Sequence, residues 1–198
     1  MADSNTNNVP RLKKHYQESV LPKLKEQFGY TNDLAVPRLE KIVISMGLGK
    51  AVVAGEKGKM EQAEKELALI AGQKPVRCKA KKSVAGFKVR EGQETHLKVT
   101  LRGNQMWEFF DRLVNLALPR VKDFRGLPEK AFDRQGNYNF GLSEQSVFPE
   151  IDSANLQFQQ GMYVTIVGSS QNPEEGRALL EGFSFPFRKP EEKAGRAA

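Results

Sequence analysis

The chain has few of the residues that build cross-links and metal centres. Its 198 residues include one cysteine, Cys78, and two histidines, His15 and His96. A single thiol excludes an intramolecular disulfide and a cysteine-rich zinc site, and it fits a reducing compartment. No apolar run approaches the ~20 residues that a membrane-spanning helix needs. The opening Met1-Ala-Asp-Ser-Asn-Thr-Asn-Asn8 is polar and lacks the apolar stretch of a secretory signal. There are no internal repeats. A soluble cytoplasmic protein with no membrane partner is the expectation.

Charge, by contrast, is plentiful. Lys plus Arg is 31 against 24 Asp plus Glu, a formal net charge of +7. An excess of this size favours a polyanionic partner, nucleic acid first. All of it is local. From Lys74 to Arg90 stand Lys74, Arg77, Lys79, Lys81, Lys82, Lys88 and Arg90 with no acid among them, and the rest of the chain is balanced. Like charges this dense repel one another unless a polyanion neutralises them.

Within that segment Val76, Cys78 and Ala80 alternate with Arg77, Lys79 and Lys81. Period two predicts a strand with one apolar and one cationic face. Phe87-Lys88-Val89-Arg90 alternates again. From Thr95 to Arg102, Leu97, Val99 and Leu101 share one face while His96, Lys98 and Thr100 share the other. Consecutive antiparallel strands with a basic loop at one tip follow. Phe87 reads as a core anchor ahead of a stacking platform for a base.

Elsewhere the spacing predicts helices over residues 10–28, 57–71, 104–118 and 173–180. Pro22 should kink the first helix or start a second, and Gly29 and Gly72 should end helices. Strands are expected at 39–46, with Ile42, Ile44 and Met46 on one face, around 138–140, and at 162–167. The 120–150 stretch reads as a long ordered loop, and Phe183 to Phe187 should fold back onto the core. The elements lack a βαβ rhythm, so the fold class is α+β: an antiparallel β-sheet packed against helices, with a basic hairpin loop. Residues 1–9 and 190–198 read as disordered tails, and 10–189 as a single α+β RNA-binding domain.

Catalytic signatures are weak. Neither histidine lies near a nucleophile signature. Gly47-Leu48-Gly49-Lys50 follows a strand but lacks the spacing and the Ser/Thr of a phosphate loop. Its glycines permit a tight turn or close approach of another backbone. Gly55-Glu56-Lys57-Gly58 matches the GxxG of KH domains, although a helix start explains it better. Asp123, Asp133 and Glu150 are loop carboxylates with no two-metal pattern. A structural RNA-binding subunit is favoured over a free KH-type regulator or an RNA-cutting enzyme, and no cofactor is expected.

Several stretches, in order, resemble the L5 family of bacterial large-subunit ribosomal proteins. They are Val36-Pro-Arg-Leu-Glu-Lys-Ile42 through Met46-Gly-Leu-Gly49; Gly72-Gln-Lys-Pro75; Lys79 through Gly92; Lys98-Val-Thr-Leu-Arg-Gly103 with Met106-Trp-Glu-Phe-Phe110; Leu118 through Gly126; Gly136-Asn-Tyr-Asn139; Phe148-Pro-Glu-Ile151; and Glu174 through Leu180. The resemblance spans roughly residues 11–189. It implies a noncatalytic protein that anchors 5S rRNA in the central protuberance beside a neighbouring 5S-binding ribosomal protein. It also implies contacts with 23S rRNA and P-site tRNA, and a bridge to a small-subunit head protein. By position, the 5S rRNA surface would use Ser45, Met46, Gly47, Gly49, Gln73, Lys74 and Thr100. The tRNA-facing loop would use Lys79, Lys81, Lys82, Ser83, Gly86, Phe87, Lys88 and Arg90, and the bridge would draw on residues 120–150. This sequence departs from the family in having Ser45 where relatives often have Asn, and in a Gly-rich insertion between Gly49 and Met60.

Overall fold

Two prolines shape the helices. The N-terminal helical stretch runs as α1 (Arg11–His15), a π-helical turn (Tyr16–Val20) and α2 (Leu21–Phe28). Pro22 carries no N–H and sits in the first turn of α2, so it starts a second segment. The helix ahead of it widens, and Leu21 N–H reaches back to Tyr16 O. The same device recurs after α5 (Gly103–Arg112). There a π turn (Leu113–Ala117) closes with Leu118 N–H on Leu113 O before Pro119 turns the chain away. The computed structural model describes residues 9–152 and 156–188. Apart from exposed Val9, the expected tails at 1–9 and 190–198 lie outside these residues, as does Lys189 at the domain's expected end.

The remaining elements are β1 (Leu39–Gly47), α3 (Gly49–Val53), α4 (Lys57–Ala71), β2 (Val76–Lys79), β3 (Glu94–Leu101), β4 (Tyr138–Leu142), β5 (Met162–Gly168) and α6 (Pro173–Gly182). The strands form one antiparallel sheet ordered β2-β3-β1-β5-β4. Gly29 and Gly72 close α2 and α4 in left-handed conformations.

Register assigns the faces. Ile42, Ile44 and Met46 stand opposite Leu101, Val99 and Leu97, and Ile42 and Ile44 face Ile166 and Val164 on the other side. All are buried beneath Leu67 and Ile70 of α4, Phe109 and Phe110 of α5, and Leu179 and Leu180 of α6. Each fully buried side chain of this size contributes about 1.5–3 kcal/mol relative to exposure. Phe183 and Phe185 return to this layer; Phe183 packs edge-on to Phe110 at 5.4 Å between centroids, and Phe185 edge-on to Tyr138 at the same separation.

The 120–150 stretch is fixed by polar contacts. Gln145 is fully buried; its Nε2 donates to Phe158 O at 2.8 Å and to Glu66 Oε2 at 3.2 Å, and its Oε1 accepts from Gln160 N–H at 2.6 Å. Arg112 binds Glu150 and donates to Ile70 O at 3.1 Å. Asp133 closes a turn by accepting from the side chain and N–H of Asn137 and from Gln135 N–H. Burial works against its ionised form, but these hydrogen bonds outweigh it and hold the carboxyl below the usual range.

Candidate nucleic-acid interface

Among the described residues no helix is packed on the second sheet face, whose residues are all at least partly exposed. Its rows follow from the same register: Lys41 beside Val167, Val43 between Thr100 and Thr165, Ser45 between Lys98 and Tyr163, and Gly47 beside His96. Asn139 and Gly141 extend it along β4, and Val76 and Cys78 along β2. None of these paired positions carries a carboxylate, and Lys98, Tyr163 and Val76 are exposed. Thr165 Oγ1 donates to Asn139 Oδ1 at 2.6 Å.

Strand β2 reverses one expectation. Val76 and Cys78 stand opposite Lys98 and His96 on the open face, and Arg77 stands opposite Leu97 on the helix side. Arg77 binds Glu64 of α4 and donates to Glu94 at 3.2 Å. The predicted cationic face of Arg77, Lys79 and Lys81 therefore does not exist as a unit. Arg77 has carboxylate partners from outside its own basic segment. The other six cations, Lys74, Lys79, Lys81, Lys82, Lys88 and Arg90, make no ion pair with a described residue.

The basic loop is internally ordered. Ala80 N–H donates to Gln93 O at 2.8 Å, and Gly92 N–H returns to Ala80 O at 3.0 Å. Val84 and Val89 exchange both backbone bonds, at 2.9 and 3.2 Å. Ser83 Oγ accepts from Glu91 N–H, and Gln93 Oε1 from Arg90 N–H. Only the Val84–Val89 bridge remains of the strand expected at 87–90, because Lys88 takes a left-handed conformation (φ 54°) that breaks extension. All side chains from Lys81 to Lys88 are exposed. Phe87 is 76% exposed, so it is not the core anchor expected of it. It borders a cleft of about 410 Å³ with Gly49, Lys50, Val53 and Val89.

The expected 5S-contacting residues divide by geometry. Ser45 and Thr100 lie on the open face, one strand apart. Gln73 Nε2 donates to Thr100 O at 3.0 Å and fastens the turn after α4 to β3, while Lys74 beside it is exposed. Met46 turns inward and is fully buried, so it offers no side chain to a partner. Gly47 ends β1, where its carbonyl accepts from Gln160 Nε2 at 3.0 Å, and Gly49 opens α3.

Space around the glycines separates two kinds. A Cβ on Gly47, Gly49 or Gly86 would meet nothing within 4 Å, and none of the three has a positive φ, so the fold itself does not demand glycine there. Gly136 is the opposite: at φ 76°, its Cβ would lie 2.5 Å from Asn172 O, because α6 approaches it closely.

Other candidates resolve into structure. Gly55-Glu56-Lys57-Gly58 is the start of α4, where Lys59 pairs with Glu56 at 2.8 Å. His15 contacts Gly182 O, and His96 contacts Thr95 Oγ1. Asp133 and Glu150 are engaged separately, and the described residues hold no metal-binding group of three or more His, Cys, Asp or Glu. Tyr163 and Lys98 were not expected at the interface. The alternation of Met162, Val164 and Ile166 against Tyr163 and Thr165 was a signal for Tyr163, but the strand order that sets it beside Ser45 leaves no local trace.

Two family models match the sequence: ribosomal protein L5 over residues 32–90, and the C-terminus of the ribosomal L5 protein family over residues 94–187. The large ribosomal subunit protein uL5 of Shewanella piezotolerans is 53% identical over 181 residues, 91% of this chain and 100% of the relative. That of Kocuria rhizophila is 52% identical over 183 residues, 92% of this chain and 96% of the relative.

Proposed function

The chain belongs to the ribosomal protein L5 family and is a structural, non-enzymatic constituent of the large ribosomal subunit, and from that premise we propose that it holds two RNAs on two surfaces. The open sheet face, with Ser45, Thr100 and the Gly47–Gly49 turn, takes 5S rRNA, flanked by Gln73 and Lys74. The basic loop from Lys79 to Arg90 takes P-site tRNA. Arg120, Lys122, Arg125 and Arg134 make the 120–150 stretch the bridge to the small-subunit head. 23S rRNA and a neighbouring 5S-binding protein complete the set of partners.

The observation that carries this reading is an open sheet face, without a carboxylate at its paired positions, continuous with six cations that pair with no described residue. Polar groups on strands suit splayed bases and 2′-hydroxyls, and lysines on a preformed loop suit phosphates. Glycines at 47, 49 and 86 leave the backbone bare for close approach. Purifying the tagged protein from cells with its bound RNA and sequencing that RNA tests the reading. 5S rRNA should be the dominant small RNA after large subunits are dissociated; its absence would refute the assignment.

A further inference from the structure

We propose that Tyr163 is a stacking platform for one unstacked base of the RNA on the open sheet face. This rests on the reading of that face as the 5S rRNA surface. Tyr163 stands directly opposite Ser45 of β1, and Ser45 pairs on its other side with Lys98 of β3. A hydroxyl, an ammonium and an aromatic ring thus lie in one row across three strands.

The ring reclines toward β4. Gly141 is its cross-strand partner there, and a Cβ on Gly141 would lie 3.4 Å from Tyr163 Cε1 and 3.7 Å from Cδ1. The glycine leaves a low floor on which one edge of the ring rests, while 67% of the residue stays open to solvent. No described aromatic or cation covers it: none of the ring–ring contacts involves Tyr163, and the one lysine lying over a ring among the described residues covers Phe158. An exposed tyrosine on a bare sheet is an unusual use of apolar surface, and strand aromatics of this kind take single-stranded bases by π-stacking. Charge selects RNA over a protein as the occupant. Tyr163 pairs with Ser45 and Gly141, Ser45 pairs in turn with Lys98, and Lys41 lies on the same face beside Val167; none of these positions is an acid, and the six cations without an ion pair to a described residue border the far, β2 edge of the same sheet.

Stacking is sequence-tolerant and electrically neutral, so it differs from a phosphate contact in its salt dependence. The test measures binding of the full chain to a 5S rRNA transcript across a salt series, with three proteins: wild type, Tyr163→Phe and Tyr163→Thr. Threonine removes the ring but keeps a strand-favouring residue, and thermal midpoints verify the fold. Tyr163→Thr should weaken binding roughly 5- to 150-fold with the salt slope unchanged, and Tyr163→Phe should bind within about twofold of wild type. Full affinity in Tyr163→Thr would overturn the proposal, as would a phenylalanine variant as weak as the threonine one. So would a threonine variant that binds 5S rRNA normally yet fails to join large subunits, since the ring would then meet protein. A wild-type chain that does not bind 5S rRNA would instead refute the underlying assignment of the face, which the variant series distinguishes from failure of the ring alone.

Discussion

Arg77 on β2 donates from Nε to Glu64 Oε2 on α4 at 2.8 Å, which ties the edge strand of the sheet to the helix beneath it. The hydrogen bonds and charge of Glu64 and Glu94 raise the Arg77 pKa further above its ordinary value. One cation of the basic segment is thus committed to the fold. Arg77→Gln should leave the salt dependence of tRNA binding unchanged. Lys82→Gln, which removes a cation with no described ion-pair partner, should lower the log–log salt slope by about 0.7 if it meets one phosphate of a single strand. Equal slopes for the two variants would show that Arg77 faces RNA.

The glycines make a second comparison. Gly47→Ala and Gly86→Ala meet open space, so both should keep the wild-type thermal midpoint. Gly47→Ala should weaken 5S rRNA binding, and Gly86→Ala the tRNA contact. Gly176→Ala drives a methyl into the Gly136 carbonyl. It should cost about 1–3 kcal/mol of stability, the range for overpacking, with lowered resistance to urea.

Gln145 joins three segments that are distant in sequence: α4, its own turn and the strand-entry segment at 158–160. Gln145→Leu should destabilise by about 1–3 kcal/mol, because the Phe158 carbonyl and Gln160 N–H lose their partners. Hydrogen exchange should quicken at Gln160 before the sheet opens.

Tyr138 is fully buried with its hydroxyl on Pro128 O at 2.8 Å, and burial pushes its pKa up to about 12. A phenol raised from about 10 favours the protonated form in the folded state. Its contribution is fully present below pH ~10 and is lost as pH rises toward 12. Alkaline unfolding should therefore steepen between those values, and Tyr138→Phe should flatten that limb.

Much of the fold was legible because periodicity reports burial directly. Ile42, Ile44 and Met46 alternate with less buried residues and are fully buried, and helix α4 fills the expected 57–71. Gly29 and Gly72 stop helices where a positive φ is needed. What stayed hidden depends on neighbours remote in sequence. Alternation at 76–81 shows that β2 has two faces but not which one turns inward, and Glu64 decides that from another helix. Phe87 looked like core by residue type, but a left-handed Lys88 holds its turn clear of the core. The open face joins β1, β3, β4 and β5 in an order that only the assembled sheet reveals. Of the candidate site residues, Ser45 and Thr100 share the open face, whereas Met46 is turned away by the same alternation that made β1 readable.

The central claim is that the sheet face and the basic loop are separate RNA surfaces. Replacing Lys81 and Lys82 with glutamate in one protein tests it most directly, with affinity for 5S rRNA and for P-site tRNA on reconstituted large subunits read in parallel. Both lysines are exposed and make no ion pair with a described residue, so the fold should be unaffected. The account predicts 5S affinity close to wild type and a marked loss of tRNA contact. Equal loss of both would contradict it.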